Sequence, residues 1–272
     1  MKRPDRTTLP SRLHIGALIA FATASVLLIP LEAFVPGLIV WGVALVLAWL
    51  TGDPLTRRNY SLLLGCILVL GFAPINTDLD TRHFATLGAS FLAVVLVPYL
   101  YMKWKAPDEV DLGFWPREFS LRDIIYTCVS IPLAWGIIWV YFFHLTPEMP
   151  THWLLPETYD ADAVRMLTFG INFVGIWDEL FFINTCYILL RPMYPAWMTN
   201  LGQAVVYTSV LYHMAFTGAG SVIVYLFALT QGTMYERSRV LLYVLIVHLI
   251  VDVFLVLAIL QYYYPDRAIT LF

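Results

Sequence analysis

The chain has 272 residues, of which 60% are apolar and 13% are charged, and its formal net charge is -3. An ordinary soluble domain is about half apolar and about a quarter charged. This chain has too few polar side chains to cover a water-facing surface, so the composition excludes a typical soluble domain and predicts an integral membrane protein in contact with lipid. The absence of a Gly-rich phosphate loop and of a dense basic patch argues against a nucleotide or nucleic-acid partner.

Apolar segments recur along the whole chain. Roughly twenty apolar residues cross the hydrocarbon core of a bilayer as an α-helix. By that rule the sequence predicts an all-α transmembrane bundle of nine helices. The predicted spans are Leu13–Ile29, Leu31–Leu50, Tyr60–Ile75, Phe84–Lys103, Ile124–Leu145, Val164–Leu190, Trp197–Phe216, Ser221–Tyr235 and Val240–Tyr263.

The basic residues predict the orientation of these spans. If the N-terminus lies in the cytoplasm, all of the 16 Lys and Arg residues except Arg82, Arg165 and Arg267 fall in cytoplasmic segments. Cytoplasmic loops normally hold the excess of Lys and Arg. We therefore expect a multi-pass protein with a cytoplasmic N-terminus, in a bacterial inner membrane.

A long polar connection after the fourth span divides the chain into two portions. Residues 1–105 form an N-terminal portion of four helices with few ionisable groups inside the spans. Residues 106–272 form a portion of five helices that contains several such groups. Gln203 and Gln231 lie within these later spans, where we expect them to form hydrogen bonds between helices.

Five ionisable residues lie within the predicted helices of the second portion: Asp178, Glu179, His213, His248 and Asp252. Such residues are costly inside a membrane and usually face a cavity. Any one of them could simply be a polar group that a neighbouring helix satisfies, but five in one stretch favour a functional site. His248 and Asp252 have the i, i+4 spacing of one helix face, so the carboxylate can orient the imidazole.

Three short motifs carry these residues. They are Asp178-Glu-Leu-Phe-Phe-Ile-Asn184, Ser209-Val-Leu-Tyr-His213 and His248-Leu-Ile-Val-Asp252. In order and spacing they resemble the EExxxR, FxxxH and HxxxN or HxxxD motifs of the CPBP family of intramembrane proteases. That family includes the CAAX-processing endopeptidases and the Abi proteins. The resemblance covers about Leu112 to Val256.

The resemblance implies an intramembrane endopeptidase that acts on a membrane-embedded or membrane-associated substrate. On the family's mechanism, Asp178 with His213 would activate a water for attack on a peptide carbonyl. His248 would stabilise the oxyanion, Asp252 would orient His248, and Glu179 would position Asp178 or the substrate. The resemblance implies no cofactor. Zn²⁺ bound by the histidines and carboxylates ranks second, since the chain has no HExxH spacing.

The chain also departs from the family pattern. Asp178 replaces the first glutamate, Ile183 the arginine, Asn184 the glycine and Ser209 the phenylalanine. Without the arginine, Glu179 has no cationic partner at i+4. These departures motivate an alternative, a catalytically silent relative that serves as a scaffold or as a partner-binding subunit of a membrane complex. A proton or ion pathway is a further alternative, because buried acids and histidines are also typical of one.

Overall fold

The structure is a computed structural model that describes residues 10–107, 113–116, 121–145, 155–214, 218 and 220–267. Every regular element within these residues is a helix, as the composition predicts. Two positions used above, Leu112 at the start of the family-like region and Phe216 at the end of the seventh predicted span, lie outside the described residues.

Nine helices follow one another in the described part of the chain. They are α1 (Arg12–Leu28), α2 (Phe34–Leu50), α3 (Pro54–Gly71), α4 (Thr81–Lys105), α5 (Leu121–Val140), α6 (Ala161–Phe181), α7 (Ala196–Leu211), α8 (Gly220–Ser238) and α9 (Leu241–Tyr263). A π-helical turn, Tyr141–Leu145, extends α5. Another, Phe182–Tyr187, extends α6 and leads into the short α-helical segment Ile188–Leu190. Each helix corresponds to one predicted span.

Within the described ranges, four helical stretches are long and apolar enough to cross a membrane. They are Thr81–Lys105, Leu121–Leu145, Ala161–Leu190 and Leu241–Tyr263. The helices α1 and α2 are apolar as well but have only 17 residues each. Large apolar side chains on α2 are exposed, among them Val35 and Ile39. Such an exposed apolar surface is typical of a protein that contacts lipid.

Aspartates at the helix starts set where three of the helices begin. Asp53, Asp80 and Asp160 are the N-cap residues of α3, α4 and α6, and each side chain accepts backbone N–H groups of the first turn. Such caps satisfy donors that have no partner within the helix. Burial alone would raise the pKa of Asp53. Hydrogen bonds from the Thr56 hydroxyl and from the backbone N–H groups of Leu55 and Thr56 outweigh it and hold that pKa below its usual value.

Buried polar contacts join the N-terminal helices to the rest of the molecule. The Asn59 side chain on α3 donates to the carbonyl of Leu189, at 2.7 Å. The hydroxyls of Tyr60 and Tyr194 lie 2.6 Å apart, and Tyr194 donates to the carbonyl of His14 on α1, also at 2.6 Å. One apolar core contains residues from both portions of the chain. The N-terminal helices therefore pack directly against the portion that holds the ionisable residues.

Side-chain amides on α7 form hydrogen bonds to the backbone of α8. Asn200 on α7 donates to the carbonyl of Leu229, at 2.8 Å, and Gln203 donates to that of Ala228, at 2.9 Å. Gly232 permits this approach, because a side chain there would collide with the Asn200 amide oxygen. The interhelical bond expected of Gln203 is thus present. Small residues commonly allow helices in membranes to approach this closely.

Candidate functional site

Four of the five predicted site residues lie together in the interior. Asp178 and Glu179 lie in the last turn of α6, and His248 and Asp252 lie in the middle of α9. Their exposed fractions are 1%, 0%, 5% and 4%, so water reaches almost none of their surface. Nε2 of His248 lies 3.5 Å from Oδ1 of Asp252, as expected for i, i+4 partners on one face. We call these four residues the acid–histidine cluster.

Glu179 is the centre of the cluster. Its Oε1 atom lies 2.7 Å from Nδ1 of His248 on α9. The same atom accepts the hydroxyl of Tyr207 on α7 and the side-chain amide of Gln231 on α8, each at 3.2 Å. Gln231 also donates to the carbonyl of Val244, at 3.0 Å. Glu179 thereby joins four helices through one oxygen, and its partners come from other helices rather than from the next turn of its own.

The EExxxR motif that this segment resembles has its arginine four residues after the second glutamate. Ile183 occupies that position, within the π-helical turn that follows α6. It is completely buried in a second apolar core, together with Tyr187 and Val244. Glu179 thus has no cationic partner at i+4, and the partners of its Oε1 are Tyr207, His248 and Gln231, whereas its Oε2 is buried without a hydrogen-bond partner among the described residues.

Each ring nitrogen of His248 lies near a carboxylate, Nδ1 near that of Glu179 and Nε2 near that of Asp252. If Nδ1 carries the proton, it donates to Glu179, to which Tyr207 and Gln231 donate as well. In that tautomer Nε2 keeps its lone pair, and because Oδ1 of Asp252 lies only 3.5 Å away, a proton on Asp252 or a water between the two must prevent their repulsion. A carboxylate that fixes one imidazole nitrogen and leaves the other basic is the arrangement that serine hydrolases use to activate their nucleophile.

Gly175 allows α6 and α9 to lie close together at the acid–histidine cluster. A Cβ atom at this position would collide with Oδ2 of Asp252 and would lie 3.1 Å from Cδ2 of His248. Gly175 precedes Glu179 by four residues and therefore lies on the same helix face. The sequence reasoning did not select Gly175, although a glycine one turn before paired carboxylates was an available signal.

His213, the fifth predicted residue, lies apart from the cluster. The helix α7 ends at Leu211, so His213 is in the turn beyond it and not within a helix as predicted. Nε2 of His213 and Oδ1 of Asp178 are each buried without a hydrogen-bond partner. Within the described residues no hydrogen bond joins them, so the expected Asp178–His213 pair is not formed in this structure.

A cavity of about 650 Å³ ends at the cluster. Asp178, Tyr207, His248 and Asp252 line its inner end. Apolar residues of α4, α5, α6 and α8 form most of the wall, and Asn76, Asp78 and His83 lie at the far end. The volume is in the usual range of small-molecule sites, about 300–1,000 Å³, and a mostly apolar wall with a few convergent polar groups is typical of them.

Two side chains of the site were not predicted to contact it. The hydroxyl of Tyr207 lies 3.2 Å from Glu179 and 3.0 Å from Nδ1 of His248. A tyrosine in the middle of an apolar helix signals such a contact, because its hydroxyl usually needs a partner when buried. The interhelical role expected of Gln231 is present, but its partner Glu179 was not foreseen.

Neither a metal nor a relative identifies the site. Among the residues that the structure describes, no three His, Cys, Asp or Glu side chains are grouped so as to hold a metal ion. Comparisons of the chain with protein-family models, with curated proteins and with solved structures find no match. The functional argument therefore depends on the acid–histidine cluster and its cavity.

Proposed function

We propose that this chain is a membrane-embedded peptide hydrolase of the CPBP type. In this proposal all nine helices span a bacterial inner membrane, the N-terminus is cytoplasmic, and the substrate is a membrane-associated peptide or protein. The observation that carries the proposal is the contact of Glu179 with His248, beside Asp178 and Asp252, at the inner end of an apolar cavity. Intramembrane ionisable groups in a cavity usually have a catalytic or transport task.

His248 is the general base of the proposed reaction. Its Nε2 accepts a proton from a water molecule, and the water oxygen forms a bond to the carbonyl carbon of the peptide. Glu179 holds the proton on Nδ1 and stabilises the imidazolium ion that results. As the carbon–nitrogen bond breaks, His248 returns the proton from Nε2 to the leaving amine. This assignment differs from the family mechanism, in which His248 would act on the oxyanion.

Asp178 positions the attacking water in this scheme. Its Oδ1 atom is buried, has no protein partner and belongs to a residue that lines the cavity. A water held next to a base lowers the activation barrier because the reacting atoms are already positioned and oriented. The apolar wall strengthens the electrostatic effect of both carboxylates, since little water screens them.

The proposal is tested with purified protein in lipid vesicles and an internally quenched peptide that contains a membrane-spanning apolar segment. We expect cleavage by the wild type and a loss of about 100-fold or more for His248→Gln, the usual contribution of a general base. Asp178→Asn should be impaired as well. His144→Gln changes an exposed histidine outside the cluster and serves as the matched control. Equal cleavage by the wild type and a folded His248→Gln protein would contradict the proposal.

A second candidate function is that of a scaffold or partner-binding subunit without catalysis. It is favoured by one observation, that His213 makes no hydrogen bond to Asp178 among the described residues. Under this alternative the cluster only ties helices together. A partner of fixed stoichiometry should then copurify with the protein, and His213→Ala should leave that complex intact. Peptide cleavage that depends on His248 would exclude this alternative.

A further inference from the structure

Among the residues that the structure describes, those that line the cavity lie on one side of the acid–histidine cluster. On α6 the residues that line it are Leu167, Gly170, Ile171, Val174, Gly175 and Asp178. Their spacing of three or four residues defines a single helix face. At 1.5 Å per residue this face is about 16 Å long and extends from Asp178 toward the N-terminal end of α6. No lining residue of α6 follows Asp178.

Tight packing closes the opposite side of the cluster. The buried residues there are Ile183, Tyr187, Met234, Tyr235, Val240, Leu241, Tyr243, Val244 and Val247. Beyond this core, Arg191 and Glu236 form an ion pair with an N–O distance of 3.0 Å. Tyr187 also donates to Glu236, at 2.7 Å. The cluster is thus sealed on the side where α6 ends and α9 begins.

The charged residues on the two sides of the cluster indicate which side of the membrane each one faces. The closed side carries Arg191, Arg237 and Arg239, next to the ends of α6 and α8. The open side carries Asp78 near the end of the cavity and Asp160 at the start of α6. It also carries Arg82 and Arg165, but fewer basic residues than the opposite side. Because Lys and Arg concentrate on the cytoplasmic side of membrane proteins, the open side is the non-cytoplasmic one.

We infer that the site takes its substrate from the non-cytoplasmic half of the membrane, and that the substrate is an apolar peptide segment embedded there. The identity of the occupant rests on the proposed hydrolysis, whereas the direction of access does not. The wall offers few hydrogen-bond partners, so apolar side chains of the substrate must face it. The substrate backbone can unwind only beside Asp178, Tyr207 and Asp252, where polar groups can satisfy it.

The direction of access is tested by thiol labelling in oriented vesicles. The background carries alanine in place of Cys66, Cys128 and Cys186, and one cysteine is then introduced as Ile171→Cys in the cavity or as Met234→Cys in the closed core. A membrane-impermeant methanethiosulfonate reagent is added from either side. Val174→Cys provides a second cavity position if Ile171→Cys fails to fold. The readout requires no catalysis, so it is independent of the proposed hydrolysis.

We expect the cavity cysteine to react at least tenfold faster from the non-cytoplasmic side than from the cytoplasmic side. We also expect it to react at least tenfold faster than the cysteine of Met234→Cys. Faster reaction from the cytoplasmic side, or a rate as slow as that of Met234→Cys, would overturn the inferred direction.

The kind of occupant is tested by photo-cross-linking. A benzophenone amino acid replaces Ile137 on α5, which lines the cavity, or Leu50 on α2, which is exposed. The probe is a synthetic Leu- and Ala-rich transmembrane peptide with terminal lysines. We expect the cross-link from position 137 to exceed that from position 50 at least fivefold. Equal cross-linking at the two positions, or cross-linking of position 137 to lipid alone, would overturn the assignment to a peptide.

Discussion

Replacing Gly175 by alanine should force α6 and α9 apart at the acid–histidine cluster. The added methyl group would collide with Oδ2 of Asp252 and would lie only 3.1 Å and 3.2 Å from Cδ2 and Nε2 of His248. Normal contact distances begin near 3.5 Å, so the helices must separate by about 1 Å. Overpacking of this kind lowers the free energy of unfolding by about 1–3 kcal/mol. The better helix propensity of alanine offsets about 1 kcal/mol of this loss. We therefore expect a net loss of up to about 2 kcal/mol in the free energy of unfolding.

Gly42→Ala is the matched control for this substitution. A Cβ atom at Gly42 has no heavy atom within 4 Å, so this variant should only gain helix propensity. The assay is thermal unfolding in detergent, followed by tryptophan fluorescence. Both variants gain helix propensity, so they differ by the overpacking cost of about 1–3 kcal/mol. With roughly 2–4 °C per kcal/mol for a chain of this size, Gly175→Ala should unfold about 2–12 °C below Gly42→Ala. A displacement of about 1 Å should also lower hydrolysis about 100-fold. The reasoning is refuted if the two variants unfold at the same temperature and retain equal activity.

Three further predictions concern other contacts. Tyr207→Phe removes one donor from Glu179 and should cost about 0.5–1.5 kcal/mol in thermal unfolding, and an unchanged Tm would show that the hydroxyl is not bonded. Glu236→Gln leaves the largely buried Arg191 without its carboxylate and should cost about 1–3 kcal/mol, measured against the wild type in the same detergent. Asp53→Asn should lower stability at neutral pH. Because the pKa of Asp53 is lowered in the folded state, its contribution is complete above about pH 4 and is lost as the pH falls through the folded pKa, so the two proteins should converge in Tm at low pH.

The positions of the helices could be predicted because the apolar runs in the sequence consist of the residues that pack inside the protein or face lipid. The span predicted at Leu13–Ile29 is the helix Arg12–Leu28, and the one predicted at Val240–Tyr263 is Leu241–Tyr263. Hydropathy failed at the end of α7. The apolar run continues beyond Leu211, but the backbone leaves the helix there, and residue hydrophobicity does not report backbone hydrogen bonds.

Only the site contacts between residues of one helix could be predicted from the sequence. The i, i+4 rule placed His248 beside Asp252, since both residues belong to one helix. The contacts of Glu179 with Tyr207 and Gln231 depend on which helices are neighbours in space, and periodicity along the chain does not contain that information. For the same reason the sequence showed that Glu179 has no cationic partner at i+4 but did not show the three residues on other helices that contact its Oε1.

The π-helical turn Phe182–Tyr187 gives α6 a place where its length can change by one residue. A π turn contains one more residue than the α turns around it, so removing a single residue, for example Asn184, would restore a continuous α-helix. Because the wide turn accommodates the extra residue, the residues that follow keep the direction that they would have in a helix one residue shorter. Arg191 would therefore still face Glu236 on α8 after such a deletion. A deletion in the regular part of α6, for example of Phe169, would instead rotate the residues on its two sides by about 100° relative to each other. Single-residue deletions between Phe182 and Tyr187 should therefore be tolerated better than a deletion at Phe169.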